Sequence, residues 1–198
     1  FHKVLNLPKS INLDKLINNL RVVCWEASDI LLNYSQKIKD EQYQDEFIKY
    51  KGINDPVTLA DVEVNSLIFK YFKENHPNED WFILSEETNK EELKLQVNKD
   101  WIWVLDPLDG TKDFLQKTEN FSVQLALNYK NQPLIGFVLI PLKDQLWITE
   151  GKSVWFENKA GIKEKTVLPI NKKLSEMKLI TSKNHKNYSL QELIKKIG

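Results

Sequence analysis

The chain has 198 residues, of which 41% are hydrophobic, with six Trp, nine Phe and six Tyr, which is enough apolar material for a packed core and too much for a disordered chain. Its 28 basic and 28 acidic residues cancel, excluding the basic field that holds a nucleic-acid polymer or an anionic membrane. The single cysteine, Cys24, allows no internal disulfide and no cysteine-rich zinc site, no run reaches the ~18 to 20 apolar residues of a transmembrane segment, and the expected compartment is the reducing cytoplasm.

From Ile11 to Ile38 the apolar residues Leu13, Leu16, Ile17, Leu20, Val23, Cys24, Ala27, Ile30, Leu31, Tyr34 and Ile38 recur at helical spacing, predicting a long amphipathic helix capped by Ser10 or Asn12. A charged stretch, Lys39 to Lys51, leads to Gly52 and Asp55-Pro56, where a loop is expected because the residue before proline is pushed out of helical geometry. Thr58 to Asp61 opens a second helix with Ala60, Val64, Leu67, Ile68, Tyr71 and Phe72 on one face, ended by His76-Pro77. The period then drops to two or to short apolar runs: Trp81 to Leu84, Trp101 to Leu105, Phe121 to Tyr129, Leu134 to Ile140, Gln145 to Glu150 and Val154 to Phe156. Short polar connections between the later runs predict hairpins. Met177 to Thr181 reads as one more strand, and Leu190 to Ile197 as the start of another helix. The expected fold is α+β, a layered sandwich of two N-terminal helices on a mainly antiparallel six-stranded sheet. Residues 1–170 form the first domain in this reading, and 171–198 begin a C-terminal α/β domain that the chain leaves truncated.

The informative feature is where the acids fall. The Trp81 run ends in Glu86-Glu87, and the Trp101 run ends in Asp106-Pro-Leu-Asp109-Gly-Thr111. Two apolar strands thus deliver carboxylates at their C-terminal ends, and adjacent strand ends lie within roughly 5 Å of each other. Carboxylates that close raise each other's pKa unless a cation sits among them. Hard oxygen ligands with room for water and phosphate favour magnesium. Pro107 and Gly110 tighten the turn and can aim the Leu108 carbonyl inward as a further ligand. Turn acids can also simply begin loops, a reading that holds better for Glu87 alone than for Asp106 and Asp109 together. Thr58 and Asp61 have the spacing of a capping box, so Asp61 by itself reads as structural. A dehalogenase-type D-x-D-G-T reading fails because Pro107 occupies the nucleophile position. Pro107 and Leu108 likewise break the alternating ligands of a calcium loop.

Trp103-Val-Leu-Asp106-Pro-Leu-Asp109-Gly-Thr111 resembles the D-P-[IL]-D-G-[TS] marker of the inositol monophosphatase superfamily. Pro56-Val-Thr58-Leu-Ala-Asp61 looks like its P-V-T-x-A-D segment, and Ser85-Glu86-Glu87 like its S-E-E element. The resemblance implies that Glu86, Asp106, Asp109 and the Leu108 carbonyl bind two or more Mg2+ ions. It implies further that Asp61, Thr111 and Glu86 carry the catalysis, Asp61 with Thr111 positioning and deprotonating a water that attacks phosphorus directly. Asp109, Gly110 and Thr111 would hold phosphate, with Lys112 beside them, and Lys51, Thr58 and Glu87 are further candidates.

Within the superfamily, Lys112-Asp113-Phe114 after the DGT turn is similar to the D-G-T-K-[DE]-F of 3'(2'),5'-bisphosphate nucleotidases, where inositol monophosphatases usually show D-G-T-x-N-F. Lys51, seven residues before Thr58, and Ser182-Lys-Asn-His185, which resembles their S-x-S-H segment with Asn184 in place of the second Ser, point the same way and make His185 a substrate candidate. The implied reaction is hydrolysis of 3'-phosphoadenosine 5'-phosphate to AMP and phosphate, clearing a by-product of sulfate assimilation. The alternatives are an inositol or sugar phosphate monoesterase and a non-catalytic metal-binding relative. The implied partner is therefore a small phosphorylated nucleotide, not a nucleic-acid polymer.

Overall fold

The computed structural model describes residues 7–8, 10–39, 48–52, 55–88, 99–151, 153–166 and 192, leaving aside the side chains of 39, 48–52, 55–57 and 165. The chain divides into two compact units, Phe1–Thr166 and Val167–Gly198, and the first contains every element named below. The predicted strand Met177 to Thr181, the predicted helix Leu190 to Ile197 and His185 lie outside the described residues, apart from the helical position of Glu192.

Asn12, not Ser10, starts the first helix: its side-chain carbonyl accepts the Lys15 amide at 2.9 Å, satisfying one donor that a helix N-terminus leaves orphaned. Helix α1 spans Leu13–Lys39 and turns Leu16, Leu20, Cys24, Ala27, Leu31 and Ile38 into the core. Strands β1 (Ile48–Gly52) and β2 (Asp55–Thr58) pair antiparallel as a separate two-stranded unit, where the charge and the Asp55-Pro56 step suggested only a loop. Helix α2, Leu59–Asn75, follows at once and buries Ala60, Val64, Ile68 and Phe72.

Among the described residues the main sheet has seven strands in sequential order: β3 (Trp81–Ser85), β4 (Trp101–Asp109), β5 (Ser122–Tyr129), β6 (Gln132–Ile140), β7 (Gln145–Glu150), β8 (Ser153–Glu157) and β9 (Lys163–Lys165). All six predicted strands are present. The seventh, β9, is three charged residues with no apolar alternation to betray them, and it forms by pairing with the edge of β8. Only β3 and β4 run parallel, Ser85 opposite Leu105, and every other neighbour is antiparallel. Alternation sends Trp103, Leu105, Leu125, Leu127, Phe137, Leu139 and Ile148 to the helix-covered face, while Val104, Asp106, Gln124, Val138 and Trp147 line a groove of about 450 Å³ on the other.

A buried ion pair ties α1 to the far side of the sheet. Glu157, at the end of β8, has a side chain only 1% exposed; Arg21 Nε lies 2.8 Å from both carboxylate oxygens, Arg21 Nη2 2.7 Å from one, and Trp25 Nε1 donates at 3.3 Å. Burial first, and then the Glu157 charge, push the neighbouring Cys24 thiol up to about 12. Removing one partner of such a pair strands the other charge away from water. Glu157→Gln is therefore expected to lower unfolding free energy by about 3 kcal/mol, the low end for a broken buried pair, because Arg21 keeps some exposure. Urea denaturation measures this. In the native protein Cys24 should stay inert to thiol reagents, reacting only as the chain unfolds.

Candidate active site

Strand β4 is irregular where its acids fall. Asp106 pairs with Gln124 and Asp109 with Ser122, so three steps along β4 match two along β5. The excess lies at Pro107-Leu108, and proline, with no N–H to give to a ladder, suits such a bulge. An unbroken strand would send residues 106 and 109 to opposite faces. The bulge instead places both beside Gln124 and Ser122, which share one face, while Leu108 turns inward and is 1% exposed.

The parallel partner brings the next acid. Ser85 lies opposite Leu105, and the Glu86 amide donates to the Leu105 carbonyl at 3.2 Å, so Glu86 emerges beside Asp106. The turn after β3 is tied around Ser85: its amide donates to Thr88 Oγ1 at 2.8 Å, its hydroxyl receives the Glu87 amide at 3.2 Å, and that hydroxyl donates to Asn65 Oδ1 at 2.6 Å. Asn65 stands one turn after Asp61 on α2, so the helix both anchors this turn and presents its own acid to it.

Thr58 and Asp61 form the capping box that their spacing predicted. The Thr58 amide and hydroxyl donate to Asp61 Oδ2 at 2.8 and 2.5 Å, and the Asp61 amide donates back to the Thr58 hydroxyl at 3.4 Å. The box is buried, with Thr58 1% and Asp61 2% exposed. Burial raises the Asp61 carboxyl from the usual 3.8 to about 6, the Thr58 bonds pull it back, and Glu87 adds to the rise. Asp106 is raised further, to about 7, by burial first, then by Glu86 and Asp109, with the Leu108 amide opposing and Asp61 contributing. Five acids from three segments, Asp61, Glu86, Glu87, Asp106 and Asp109, thus act on one another here. Capping and membership of the site are one arrangement for Asp61.

The DGT turn follows directly. Gly110 has φ of +88°, and a Cβ there would sit 2.4 Å from the Asn120 carbonyl oxygen, so no other residue fits without moving backbone. Helix α3, Thr111–Leu115, begins at this point. The Thr111 hydroxyl donates to the Leu108 carbonyl at 3.1 Å, and Lys112 is exposed. Lys51 belongs to β1, but its side chain is among those left undescribed. Sequence reasoning missed Gln124, Ser122 and Asn65. Gln124 Nε2 donates to Asp109 Oδ2 at 2.6 Å, and Ser122 Oγ lies 3.5 Å from the same oxygen. Their signal was present: Ser122 and Gln124 are polar residues two apart in an apolar strand, and Asn65 is four after Asp61.

Among the described residues, no three Asp, Glu, His or Cys side chains converge as a ligand set, and Asp109 is engaged by Gln124. The donor chemistry nonetheless fits a hard cation. The groups are all oxygens, and burial with the neighbouring Glu86 and Asp109 raises the Asp106 carboxyl, a cost that a bound cation would relieve.

Gly110→Ala should destabilise the protein by about 1 to 3 kcal/mol, as expected for a side chain forced into left-handed backbone, a loss that urea midpoints will show. The raised carboxyls give a second expectation. A carboxyl whose folded pKa lies above its unfolded value adds stability that is complete below about pH 4 and disappears as pH rises through about 6 for Asp61 and 7 for Asp106. In EDTA the protein should therefore lose stability between pH 4 and 7.5, and Asp106→Asn should raise Tm at pH 7.5 and flatten the profile. Millimolar magnesium should raise the wild-type Tm at pH 7.5 and leave that of Asp106→Asn unmoved. Differential scanning fluorimetry reads all of these.

Residues 12–197 match the inositol monophosphatase family. The chain is 33% identical over 153 residues to a 3'(2'),5'-bisphosphate nucleotidase CysQ from Buchnera aphidicola, covering 76% of this chain and 54% of the relative. It is 35% identical over 118 residues to Nus factor SuhB of Haemophilus influenzae, covering 60% and 40%. The crystal structure of CysQ from Bacteroides thetaiotaomicron, 21% identical, superposes with a TM-score of 0.64 over 88% of this chain and 65% of that one, sharing the fold. The chain spans about half the length of the curated relatives it matches. A match this extensive, on a sheet that gathers Glu86, Asp106 and Asp109 beside Asp61, makes the chain a member of the inositol monophosphatase family.

Proposed function

We propose that this chain carries the carboxylate wall of a magnesium-dependent phosphomonoesterase whose substrate is 3'-phosphoadenosine 5'-phosphate, released as AMP and phosphate. The observation that carries the reading is Asp106, half-buried beside Glu86, Asp109 and Asp61 and raised to about 7 by burial first and then by those neighbouring charges. Glu86, Asp106, Asp109 and the Leu108 carbonyl would hold the metal. Two or more bound Mg2+ ions would supply Lewis-acid charge to the phosphate and acidify water. Asp61 would accept the proton of the attacking water; at about 6 its pKa lies close to the working pH, where a general base is most effective. The capping bonds fall on Oδ2, leaving Oδ1 to take the proton. Thr111, whose hydroxyl hydrogen is committed to the Leu108 carbonyl, would receive a hydrogen bond from the same water. The amides of Asp109, Gly110 and Thr111, with Lys112, would bind phosphate oxygens. Lys51, Thr58 and Glu87 would belong to the surrounding shell, and His185 would lie beside the nucleotide. A cytoplasmic enzyme of sulfur metabolism, with residues 171–198 opening a second α/β domain, belongs to the same proposal.

The Lys112-Asp113-Phe114 signature and the similarity to CysQ proteins support the nucleotide substrate over an inositol or sugar phosphate. The similarity to a relative named as a Nus factor keeps a non-catalytic metal-binding role as the second reading.

Phosphate release by the complete gene product in magnesium separates these readings. The nucleotide reading expects higher kcat/KM for 3'-phosphoadenosine 5'-phosphate than for inositol monophosphate. The reverse order would move the substrate, and no release from any phosphomonoester would favour the non-catalytic role. Asp61→Asn should lower kcat by about 10²- to 10⁴-fold, the range for losing a general base, with little change in KM. Wild-type turnover in that variant would remove Asp61 from the mechanism.

A further inference from the structure

The segment between the DGT turn and β5 is a closed loop with its own internal fastening. Asp109 and Ser122 pair at its mouth, and Gly110 lies against the Asn120 carbonyl. Phe114, 1% exposed, meets Phe121 edge to face at 5.0 Å beneath it. Helix α3 is only five residues long and its N-cap Gly110 supplies no side-chain bond, so the helix cannot hold itself together. What closes its C-terminal side is Asp113. The Thr118 hydroxyl donates to Asp113 Oδ1 at 2.7 Å, and the Thr118 amide donates to the Asp113 carbonyl at 3.0 Å. Between them Lys117 takes a left-handed conformation with φ of 62°, which reverses the chain so that Thr118 can reach back.

Residues two apart on a helix are about 200° apart around its axis, so Thr111 and Asp113 cannot serve the same side of α3. Thr111 addresses the Leu108 carbonyl, next to the carboxylates. Asp113 addresses Thr118 on the other side. The residue whose identity separates the two sequence signatures, Asp in one and Asn in the other, is thereby turned into the loop.

We infer that Asp113 and Thr118 form a clasp that positions Thr111 and the DGT amides, and that Asp113 is a positioning residue which does not read the substrate. The clasp needs an acceptor at 113 and a hydroxyl at 118; it does not need a negative charge. An asparagine side chain would therefore serve as well as that of Asp113, and the choice between nucleotide and inositol phosphate must be made by other residues.

The test compares Asp113→Asn and Thr118→Ser, which keep the bond, with Asp113→Ala and Thr118→Val, which remove it. Its kinetic arm rests on the proposed phosphatase activity; its exchange arm does not. The bond-removing variants should speed hydrogen exchange of the amides from Thr111 to Thr118 by about tenfold or more. They should also lower kcat by about tenfold, with KM little changed, equally for 3'-phosphoadenosine 5'-phosphate and inositol monophosphate. The bond-keeping variants should stay within about twofold of wild type in exchange, in kcat and in the ratio of the two kcat/KM values. A wild-type exchange rate or wild-type kcat in Thr118→Val overturns the clasp. A shift of the substrate ratio by about tenfold or more in Asp113→Asn overturns the claim that Asp113 does not read substrate. If no substrate releases phosphate, the proposed activity fails and the exchange rates alone decide the clasp.

Discussion

Asp106 and Asp109 share a face of the sheet because β4 carries one residue more than β5 opposes between them. The rest of the candidate site depends on that mismatch. With Pro107-Leu108 accommodated in the regular pleat, Asp109 would turn toward the packed helices, where a carboxylate has no water and no partner. With the bulge, the hydrophobic demand of the strand is met by Leu108, which enters the core, and both acids stay on the open face. The same irregularity turns the chain into Gly110 and α3, so the position of Thr111 follows from it too.

The acids are held in place by apolar packing and by their own hydrogen bonds, in opposition to their mutual repulsion. Trp103 and Leu105 on β4, and Ala60, Val64 and Ile68 on α2, are almost wholly buried; they fix the strand and helix whose ends meet at Asp106 and Asp61. The consequence is a cost in keeping them charged: burial first, and neighbouring acids after it, raise the Asp61 and Asp106 carboxyls to about 6 and about 7. A fold selected only for stability would place uncharged residues there, since burying a charge costs more than burying an isosteric neutral group. Sites that bind cations or move protons are where such a cost is ordinarily found. The Arg21–Glu157 pair shows the contrasting case: complementary charges satisfied by geometry, with the Glu157 side chain only 1% exposed.

Helix α2 joins the two requirements. Its first turn is capped by Thr58 and Asp61, its next turn places Asn65 against Ser85, and its remaining face packs on the sheet. The cap fixes Asp61, the Asn65 bond fixes the turn that carries Glu86 and Glu87, and the apolar face fixes both relative to β4. Displacement of this one helix would move Asp61 and the Glu86-Glu87 turn together, away from the acids of β4.

Much of this was legible in the sequence. Helical spacing identified α1 and α2, short apolar runs identified six strands, and the marker Asp106-Pro-Leu-Asp109-Gly-Thr111 identified the family, because periodicity, turn residues and motif spacing are local properties written along the chain. Strand β9 and the β1–β2 pair were not legible: their charged or proline-containing segments become strands through pairing, and the partner is not encoded in the segment itself. The candidate site divides in the same way. The candidacy of Glu86, Asp106 and Asp109 came from residue type and order, and that of Asp61 from the family resemblance alone, whereas the bulge that sets two acids on one face and the parallel register that sets Glu86 beside Asp106 came only from the structure. So did the partners of Asp109 in β5 and the turning of Asp113 toward Thr118. Each of these is a relation between segments distant in the chain or a direction around a helix, and both are settled by packing and hydrogen bonding across the fold.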